Sequence, residues 1–318
     1  MHLVETMAYT RERPWHGLGN KLAEKQPIDV WKTQAGMDWS IEESEVRYII
    51  GSNSVGVISA FPENKVLYRS DTKKALAVVS KRFQVVQPGE VLEFYRDLTA
   101  TNGFELETAG VLREGRKFWA LARTGHSTTL KGRDRVDGYL LLATSCDGTL
   151  ATTAQFTSIR VVCNNTLSIA LGNTSSAIKV PHRSRFDPDA VKRQLGIATS
   201  SWDGFVARMK ALVERPVDPD SVDGLLRRVL TYTAPSGKNA VVNEQALTTV
   251  RSLYDGGGKG ALMASSRDTA WGLLNSVTEY VDHHRRARTE GHRKDAAWFG
   301  QGAQIKQRAW DEFMKLVA

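Results

Sequence analysis

Residues 104–145 read FELETAGVLREGRKFWALARTGHSTTLKGRDRVDGYLLLATS, and this stretch gives the clearest indication of the fold. It contains three runs rich in apolar and β-branched residues: Phe104 to Arg113, Arg116 to Arg123 and Val136 to Ser145. Glu114 and Gly115 stand between the first two runs, where a tight turn would close a hairpin. The pattern predicts neighbouring antiparallel strands joined by short connections.

The chain before this stretch also alternates strands with turns. Trp39 to Val46 alternates apolar and polar residues as a half-buried strand does. Turn-forming residues at 51–54 and 71–73 separate further strand-like runs, which predicts a meander of antiparallel strands. Ile28 to Ala35 is typical of a short helix. Residues 89–100 place apolar residues near helical spacing, so this second helix is expected to pack across the sheet.

The chain after residue 145 changes from strands to helices. Gln155 to Val162 is another β-rich run, and Thr166 to Leu171 is expected to begin a helix. The composition changes near Pro181, and from Asp187 onward apolar residues recur at helical intervals. The segments with this helical pattern are residues 188–214, 220–230, 244–254, 271–288 and 303–317.

These elements together predict an α+β fold. An antiparallel β-meander sheet crossed by a helix is followed by a mainly helical C-terminal region. We expect an α+β core domain over residues 1–186 and a helical region over residues 187–318. With 318 residues, 41% of them hydrophobic and 25% charged, the chain has the composition of an ordinary folded protein with a full core.

The sequence also gives an expectation for where the protein is found. No stretch approaches the roughly 18 apolar residues that a membrane span needs, and the N-terminus lacks an apolar signal core. We therefore expect the protein in the cytoplasm of the host cell, without contact to a membrane. The two cysteines, Cys146 and Cys163, lack the spacing of a metal site and are expected to be reduced and buried.

Three patterns that could signal catalysis or metal binding are incomplete. The glycine-rich loop at residues 256–260 lacks the GxxxxGK[ST] spacing of a phosphate loop and is typical of a flexible linker or mobile loop. Asp282, His283, His284 and His292 would point in different directions from one helix and converge poorly on a metal. For Cys163 or Ser145 as a nucleophile, the sequence identifies no supporting partner. We predict no catalytic residue, no metal site and no cofactor.

The net charge gives the first indication of function. The formal charge is +8 with a pI near 9.4, and an excess of Lys and Arg concentrates polyanions at a protein surface. Many cations lie in the connections of the β-rich half, where they would line a positive groove if the connections share an edge. Aromatic residues nearby would then offer stacking surfaces for bases. The candidates are Phe118, Trp119, Tyr139, Phe156 and Phe186. The alternative interpretation, of equal weight, is a set of solvated loop cations and core aromatics.

Three motifs carry a resemblance to a known family. They are RPWHGLG at residues 13–19, RVVCNNTL at residues 160–167 and WGLLNSVTEYVDH at residues 271–283. With these motifs the chain resembles a phage and plasmid-related family of unknown function, and the resemblance spans nearly the whole chain. It implies a phage or prophage context and no particular activity.

A second, fainter similarity is to phage single-strand annealing proteins of the Rad-fifty-two superfamily, and it rests on topology and charge. It implies ring-shaped homo-oligomers that hold single-stranded DNA in a basic groove during recombination. Such a protein makes no bonds and is not an enzyme, because it holds a strand extended until a complementary strand pairs with it. The DNA contacts predicted on this basis are Lys81, Arg82, Arg113, Arg116, Lys117, Arg133, Arg135, Arg160 and Arg183.

Two other functions remain open at this stage. The first is a nuclease or another metal-dependent nucleic-acid enzyme that uses Glu107, Asp137 and Asp147, which lie in the same β-rich half. The second is a phage accessory protein that binds a host protein. A chelator-sensitive loss of DNA would favour the enzyme, whereas a defined protein partner and little salt-dependent DNA affinity would favour the accessory protein.

Overall fold

A computed structural model describes residues 4–11, 19–51, 56–101, 103–160, 162, 165–168, 177–196, 199–233 and 240–318. Most of the RPWHGLG motif, and Cys163 with its predicted burial, lie outside the described residues. The described chain has an α+β fold in which a β-rich half precedes a mainly helical C-terminal region, as predicted from the sequence. Among the described residues, no helix combines the length and apolar composition needed to cross a bilayer.

Strands dominate the first half. They are β1 (Val4–Tyr9), β2 (Asn20–Lys21), β3 (Ile41–Ile50), β4 (Val57–Arg69), β5 (Ala75–Ser80), β6 (Glu105–Leu112), β7 (Lys117–Leu130), β8 (Asp134–Ser145), β9 (Thr152–Arg160), β10 (Asn165–Ser168), β11 (Ile178–Val180), β12 (Thr231–Thr233) and β13 (Ala240–Val242). The helices are α1 (Ile28–Gln34), α2 (Pro88–Glu93), α3 (Arg96–Thr101), α4 (Pro188–Gly196), α5 (Thr199–Glu214), α6 (Val222–Leu230), α7 (Glu244–Ser252), α8 (Ala270–Glu279), α9 (Glu290–Phe299) and α10 (Gln301–Met314).

The main sheet is a meander with additions at both edges. Its order is β10-β9-β8-β7-β6-β1-β2, and β11 also pairs with β9. Strands β6 to β9 pair antiparallel with their neighbours in the chain, as the three runs in residues 104–145 predict. Only β1 and β2 run parallel among the described pairs of this sheet. A second sheet of β3, β4 and β5 is also antiparallel.

Short helices cover one face of the main sheet and enclose the first apolar core. The predicted helix at residues 89–100 is present as two short helices, α2 and α3. Between them, the buried Tyr95 hydroxyl lies 2.9 Å from the carbonyl oxygens of both Ala120 and Leu140, at the centre of the sheet. This contact confirms that the segment packs across the sheet. Val191 and Leu195 of α4 belong to the same core.

The remaining helices enclose a second apolar core beside the end of the sheet. It is formed mainly by α5, α6, α7, α8 and α10, and includes Leu130 and Val136 of the main sheet. Every residue of α8 is buried. The two cores therefore meet at β7 and β8, while α4, in the predicted helical region, packs on the sheet. The predicted domain limits remain a prediction.

One expectation for local structure is wrong. Thr166 to Leu171 was expected to begin a helix, but Asn165–Ser168 forms strand β10, because the edge of β9 supplies backbone partners that no local pattern reveals. The helical segment expected at residues 188–214 is helical in all of its described residues, as α4 and α5. The hairpin of β12 and β13 has no counterpart among the predicted elements.

Candidate nucleic-acid interface

The nine predicted DNA contacts lie at two opposite ends of the main sheet. Arg113, Arg116 and Lys117 lie at the β6–β7 turn, whereas Arg133, Arg135 and Arg160 lie around the β7–β8 turn. The 12 residues of β8 separate these ends by roughly 36 Å at about 3.3 Å per residue. The nine cations therefore do not line one continuous short groove.

Arg160 is used inside the protein. Its side chain is 2% exposed and donates to both oxygens of Asp134, at 2.7 and 2.8 Å. The fully buried Asp134 carboxylate also accepts from Ser265 Oγ at 2.6 Å and from Trp271 Nε1 at 3.1 Å. A charge removed from water needs such partners. Arg160 is thus unavailable to phosphate, which corrects its predicted role.

The glycine-rich loop at residues 256–260 also contacts Arg160, and these contacts show how the loop is held. The Gly260 carbonyl accepts from Arg160 at 3.3 Å, and the Lys259 N–H donates to both oxygens of the buried Glu279 carboxylate at 3.0 and 3.1 Å. Gly260 has φ of +74°, and an added Cβ would lie 3.2 Å from the Arg160 guanidinium. The loop is therefore packed against α8 and the sheet, which corrects its interpretation as a flexible linker.

Lys117 and Arg113 are also occupied by a carboxylate of the helical region. Both pair with Asp295 of α9, Arg113 at 2.8 Å and Lys117 in a shorter contact. Lys117 is almost fully buried and its Nζ lies 5.4 Å from the centre of the Phe299 ring. These pairs fasten α9 to the sheet. Lys117 is consequently removed from the predicted DNA contacts, and Arg113 is only partly exposed.

A third buried pair joins two of the sequence motifs. Lys306 of α10 donates to Asp282 at 2.9 Å and to Thr166 Oγ1 at 2.6 Å, and Asp282 also accepts from the Thr166 N–H at 2.8 Å. We call the pairs Arg160–Asp134, Lys117–Asp295 and Lys306–Asp282 the ionic seam. The side chains of all three pairs are largely buried, and Lys117–Asp295 directly joins the sheet to the helical region. The other two pairs connect the two parts through hydrogen bonds, Asp134 with Ser265 and Trp271, and Asp282 with Thr166.

The far end of the sheet retains little unpaired charge. Arg135 pairs with Asp137 at 2.7 Å, and Lys131 in the same turn pairs with Glu214 at 3.0 Å. Arg133 is exposed and forms no ion pair with a described carboxylate. It is therefore the predicted contact at this end that remains available.

The other end holds four predicted contacts that are exposed. They are Lys81, Arg82, Arg116 and Arg183, and none of them forms an ion pair with a carboxylate in the part of the chain that the structure describes. Arg185 has the same properties and lies two residues after Arg183. We call these five residues the basic edge.

Backbone and ring contacts bring the segments of the basic edge together. The Gln84 N–H donates to the His182 carbonyl at 2.6 Å, which joins the segment after β5 to the turn after β11. The Phe83 and His182 rings stack with centroids 4.3 Å apart and planes 18° apart. His182 also contacts the Leu150 carbonyl, and the Cys146 N–H donates to the Arg116 carbonyl at 2.9 Å. The segments that carry the cations are thus linked by hydrogen bonds to the ring pair or to its neighbours.

The two nitrogens of His182 both face carbonyl oxygens. Nδ1 lies 3.2 Å from the Gln84 oxygen, and Nε2 lies 2.8 Å from the Leu150 oxygen. A neutral imidazole has one N–H and can donate to only one of these oxygens, whereas an imidazolium donates to both.

Nearby carboxylates are held by their own neighbours. Burial, the largest influence, raises the pKa of Asp147, but hydrogen bonds from the Thr149 hydroxyl and N–H outweigh it, and the pKa is lowered. The Ala190 N–H, and then the Asp189 N–H, hold the pKa of Asp187 below its ordinary value as this carboxylate caps α4. Neither carboxylate forms an ion pair with the basic edge, although the charges of Arg193 and Arg185 add a smaller lowering of the Asp187 pKa.

The aromatic residues of the site differ from those expected. Phe118, Trp119 and Tyr139 are buried, and Phe156 and Phe186 are partly buried against apolar cores. Sequence reasoning missed Phe83 as a stacking residue, although it directly follows Lys81 and Arg82 at the end of a predicted strand. Aromatic residues beside cations in a turn are the signal that could have identified it.

The carboxylates of the alternative enzyme do not converge. Glu107 accepts from Arg123 at 2.8 Å and from the Tyr139 hydroxyl at 3.0 Å, and Asp137 pairs with Arg135. Asp147 lies just beyond the opposite end of β8. In the described ranges, no group of three or more His, Cys, Asp or Glu residues could hold a metal ion.

Comparison with known proteins gives one match. A family model described as Domain of unknown function (DUF932) matches residues 75–298. No curated protein and no solved structure matches the chain. The matched residues include the whole basic edge and its ring pair, but neither β3 nor β4.

Proposed function

Because the chain belongs to the family described as Domain of unknown function (DUF932), a description that assigns no activity, we propose its function from its own residues. It binds single-stranded DNA at the basic edge and promotes strand annealing in phage recombination. The resemblance of its motifs to phage and plasmid-related proteins supports this context. The observation that carries the proposal concerns five exposed cations that form no ion pair within the described part of the chain. They lie on segments that hydrogen bonds link to the Phe83–His182 ring pair and its neighbours.

The chemistry of the basic edge suits a nucleic-acid backbone. Exposed Lys and Arg side chains neutralise phosphates and release condensed counterions, which drives binding without regard to sequence. An arginine without an internal partner can give a phosphate two parallel hydrogen bonds. The cations of the ionic seam cannot do so, because their donors already face carboxylates.

The ring pair favours a single strand over a duplex. A base in a duplex has neighbours on both of its faces, whereas an unpaired base can stack on a protein ring. Phe83 and His182 lie among the cations, so a strand held by its phosphates would bring bases close to them. Annealing then requires no bond-making residue, because the protein only keeps a strand extended until its complement pairs with it.

Fluorescence anisotropy of labelled oligonucleotides tests this function directly. Single-stranded and double-stranded DNA are titrated across a salt series, with magnesium or with a chelator. We expect tighter binding to single strands, independence of magnesium, and a slope of log K against log salt of about −3.5 if all five cations contact phosphates. Absence of binding at low salt would contradict the proposal. Cleavage that the chelator abolishes would instead indicate the metal-dependent enzyme.

Two matched double variants locate the interface. Arg82→Ala with Arg183→Ala removes two charges from the basic edge and is expected to reduce the salt slope by about 1.4 for single strands. Lys210→Ala with Arg215→Ala removes two exposed charges elsewhere, from α5 and from the residue that follows it. The control should bind like the unmodified protein. Equal losses in both variants would mean that net charge, rather than the basic edge, determines binding.

A further inference from the structure

The hairpin of β3 and β4 extends beyond the rest of its sheet. Strand β5 pairs with β4 only from Asn64 to Tyr68, whereas β3 pairs with β4 as far as Ile50 and Val57. We call the distal residues 47–50 and 57–61 the β arm. It is a two-stranded ribbon, and such a ribbon is only marginally stable alone in water.

The β arm exposes apolar side chains on both faces. In the pairing register, Ile49 and Ile58 share one face, while Ile50 and Val57 share the other. Six of the eleven exposed large hydrophobic side chains among the described residues lie in this short ribbon. They are Tyr48, Ile49, Ile50, Val57, Ile58 and Phe61, with exposed fractions of 46 to 70%. A contiguous patch of this kind marks an interaction surface.

The outer edge of β4 is protected next to the β arm. The Glu63 carbonyl accepts from the Lys81 N–H at 2.9 Å, and the adjacent Pro62 has no N–H to donate to any partner. Proline and occupied backbone groups are common protections of a sheet edge. Beyond Pro62, residues 57–61 pair with β3 and with no other described strand.

The β3 edge is protected only near its base. There the Gln87 side chain bonds to the N–H and carbonyl of Ile41, and Glu42, Glu43 and Glu45 follow. Beyond Glu45, Arg47–Ile50 pairs with β4 on one side, and no described strand pairs with its other edge. This short segment combines an open backbone edge with apolar side chains.

We propose that two copies of the chain associate by pairing this β3 segment antiparallel with the same segment of a second copy. Two identical antiparallel edges are complementary and close by two-fold symmetry. A register centred on Ile49 sets Tyr48 opposite the second copy's Ile50 and leaves Glu45 outside the pairing, so no glutamates face each other. This inference does not rest on the proposed DNA binding.

The size of the apolar surface supports a second copy as the partner. The six exposed side chains, each about half exposed, present on the order of 600 Å², against about 800 Å² contributed by each partner in a standard protein interface. Tyr48, Ile49 and Ile50 lie on the pairing strand itself, and the other three lie on β4, the next strand. A second β arm offers the same apolar side chains and an open edge, whereas DNA offers neither.

Cysteine cross-linking tests both the partner and the register. In a background with Cys163→Ser, Ile49→Cys places two thiols opposite each other across the two-fold axis, at a separation that a disulfide spans. Ile58→Cys is the matched control. Its side chain lies on the same face and is similarly exposed, but β4 and its counterpart would be about 14 Å apart across the paired sheet. We expect oxidation to give covalent dimers of Ile49→Cys and few of Ile58→Cys.

Sedimentation of the reduced protein gives the second measurement. The unmodified chain is expected to dimerise as its concentration rises, and Ile49→Lys to remain a monomer with an unchanged thermal midpoint. Leu262→Lys, which alters an equally exposed side chain outside the β arm, should dimerise normally. A monomer at all concentrations, dimers of Ile49→Lys, or equal cross-linking of the two cysteine variants would overturn the proposal.

Discussion

The basic edge and the ionic seam use the same residue types in opposite ways. Lys117 and Arg160 come from the same β-rich half as Arg82 and Arg183, yet the first two are buried against carboxylates while the others face water. The difference lies in what packs against each strand. Lys117 meets the Asp295 carboxylate of helix α9, and Arg160 meets the Asp134 carboxylate of the neighbouring strand β8, so both cations become part of the interior. The described residues bring no carboxylate to Arg82 or Arg183, which stay available to a ligand.

The charges of the two regions also contribute differently to the stability of the fold. Removing one partner of a buried pair leaves the other charge without water or a counter-ion, which is strongly destabilising. An exposed cation without a partner contributes little to folding, because water solvates it in both the folded and unfolded states. The two regions should therefore respond to substitution in opposite ways, with stability lost in one and ligand binding lost in the other.

The largest loss of stability is expected for Asp134→Asn. This change leaves the Arg160 guanidinium buried with a neutral partner and weakens the acceptor of Ser265 and Trp271. We expect the free energy of unfolding to fall by about 3–5 kcal/mol, measured by urea denaturation followed by tryptophan fluorescence.

A double variant is the control for Asp134→Asn. Asp134→Leu with Arg160→Met removes both charges and should recover much of the loss, because an apolar pair needs no counter-ion. A loss below about 1 kcal/mol in the single variant, in the range of an ordinary surface change, would show that the Asp134–Arg160 group is not a buried ion pair in solution.

Lys306→Met is expected to have the next largest effect. The Asp282 carboxylate loses a buried cation but keeps its hydrogen bonds from Thr166, so we expect a loss of about 2–3 kcal/mol. Hydrogen exchange of β10 should accelerate more than that of β8, because Lys306 and Asp282 hold only the outer strand. In Lys315→Met, which breaks an exposed pair with Glu312, the change should stay below about 0.5 kcal/mol.

Local patterns in the sequence predict most of the fold. The runs in residues 104–145 give β6, β7 and β8 because strand periodicity and turn residues lie close together in the chain. The helix expected at Thr166 fails because the edge of β9 decides its conformation. A local pattern cannot indicate which distant edge a segment will meet.

The candidate site is less predictable than the fold. Lys117 and Asp295 are separated by 178 residues, and Ser265 and Asp134 by 131, so no spacing in the sequence reveals these contacts. A lysine in an ion pair and an exposed lysine look alike in a sequence. The proximity of the segments that carry Arg82 and Arg183 likewise depends on the pairing of β11 with β9. The sequence around Pro181 does not reveal this pairing.

The ion pairs of Arg69 lie between the two extremes of burial. Removing one of them is expected to lower the free energy of unfolding less than the changes above, and in a pH-dependent way. Its largely buried guanidinium lies 4.0 Å from the centre of the Trp39 ring and pairs with Asp71 and Glu5. The hydrogen bond from Arg69 lowers the pKa of Asp71 to about 2. Since the folded pKa lies below the ordinary value of 3.8, the stabilisation is present above about pH 4 and is lost as the pH falls toward 2.

Asp71→Asn should accordingly lower stability at pH 7 by about 1 kcal/mol, a value reduced for the exposure of the carboxylate. At pH 2 to 2.5 the difference from the unmodified protein should shrink, because Asp71 is then increasingly protonated in both states. Urea midpoints of the two proteins at both pH values give the measurement. A difference that stays constant with pH would mean that the amide changes packing rather than charge.

The smallest effect on stability is expected where the effect on binding is largest, in Arg82→Ala with Arg183→Ala. Neither side chain has a described ion pair, so no contact is lost, and the change should stay within about 0.5 kcal/mol. The sign of this change in the free energy of unfolding is informative, because the residues of the basic edge carry like charges. Removing two of them relieves repulsion, so the variant should be slightly more stable at low salt and indistinguishable at high salt, where charges are screened. Urea midpoints at two ionic strengths measure this sign. A clear loss of stability would mean that these arginines have partners inside the protein, as the cations of the ionic seam do. A gain in stability at low salt only would mean that the folded protein holds repelling charges together, as a binding site for a polyanion does.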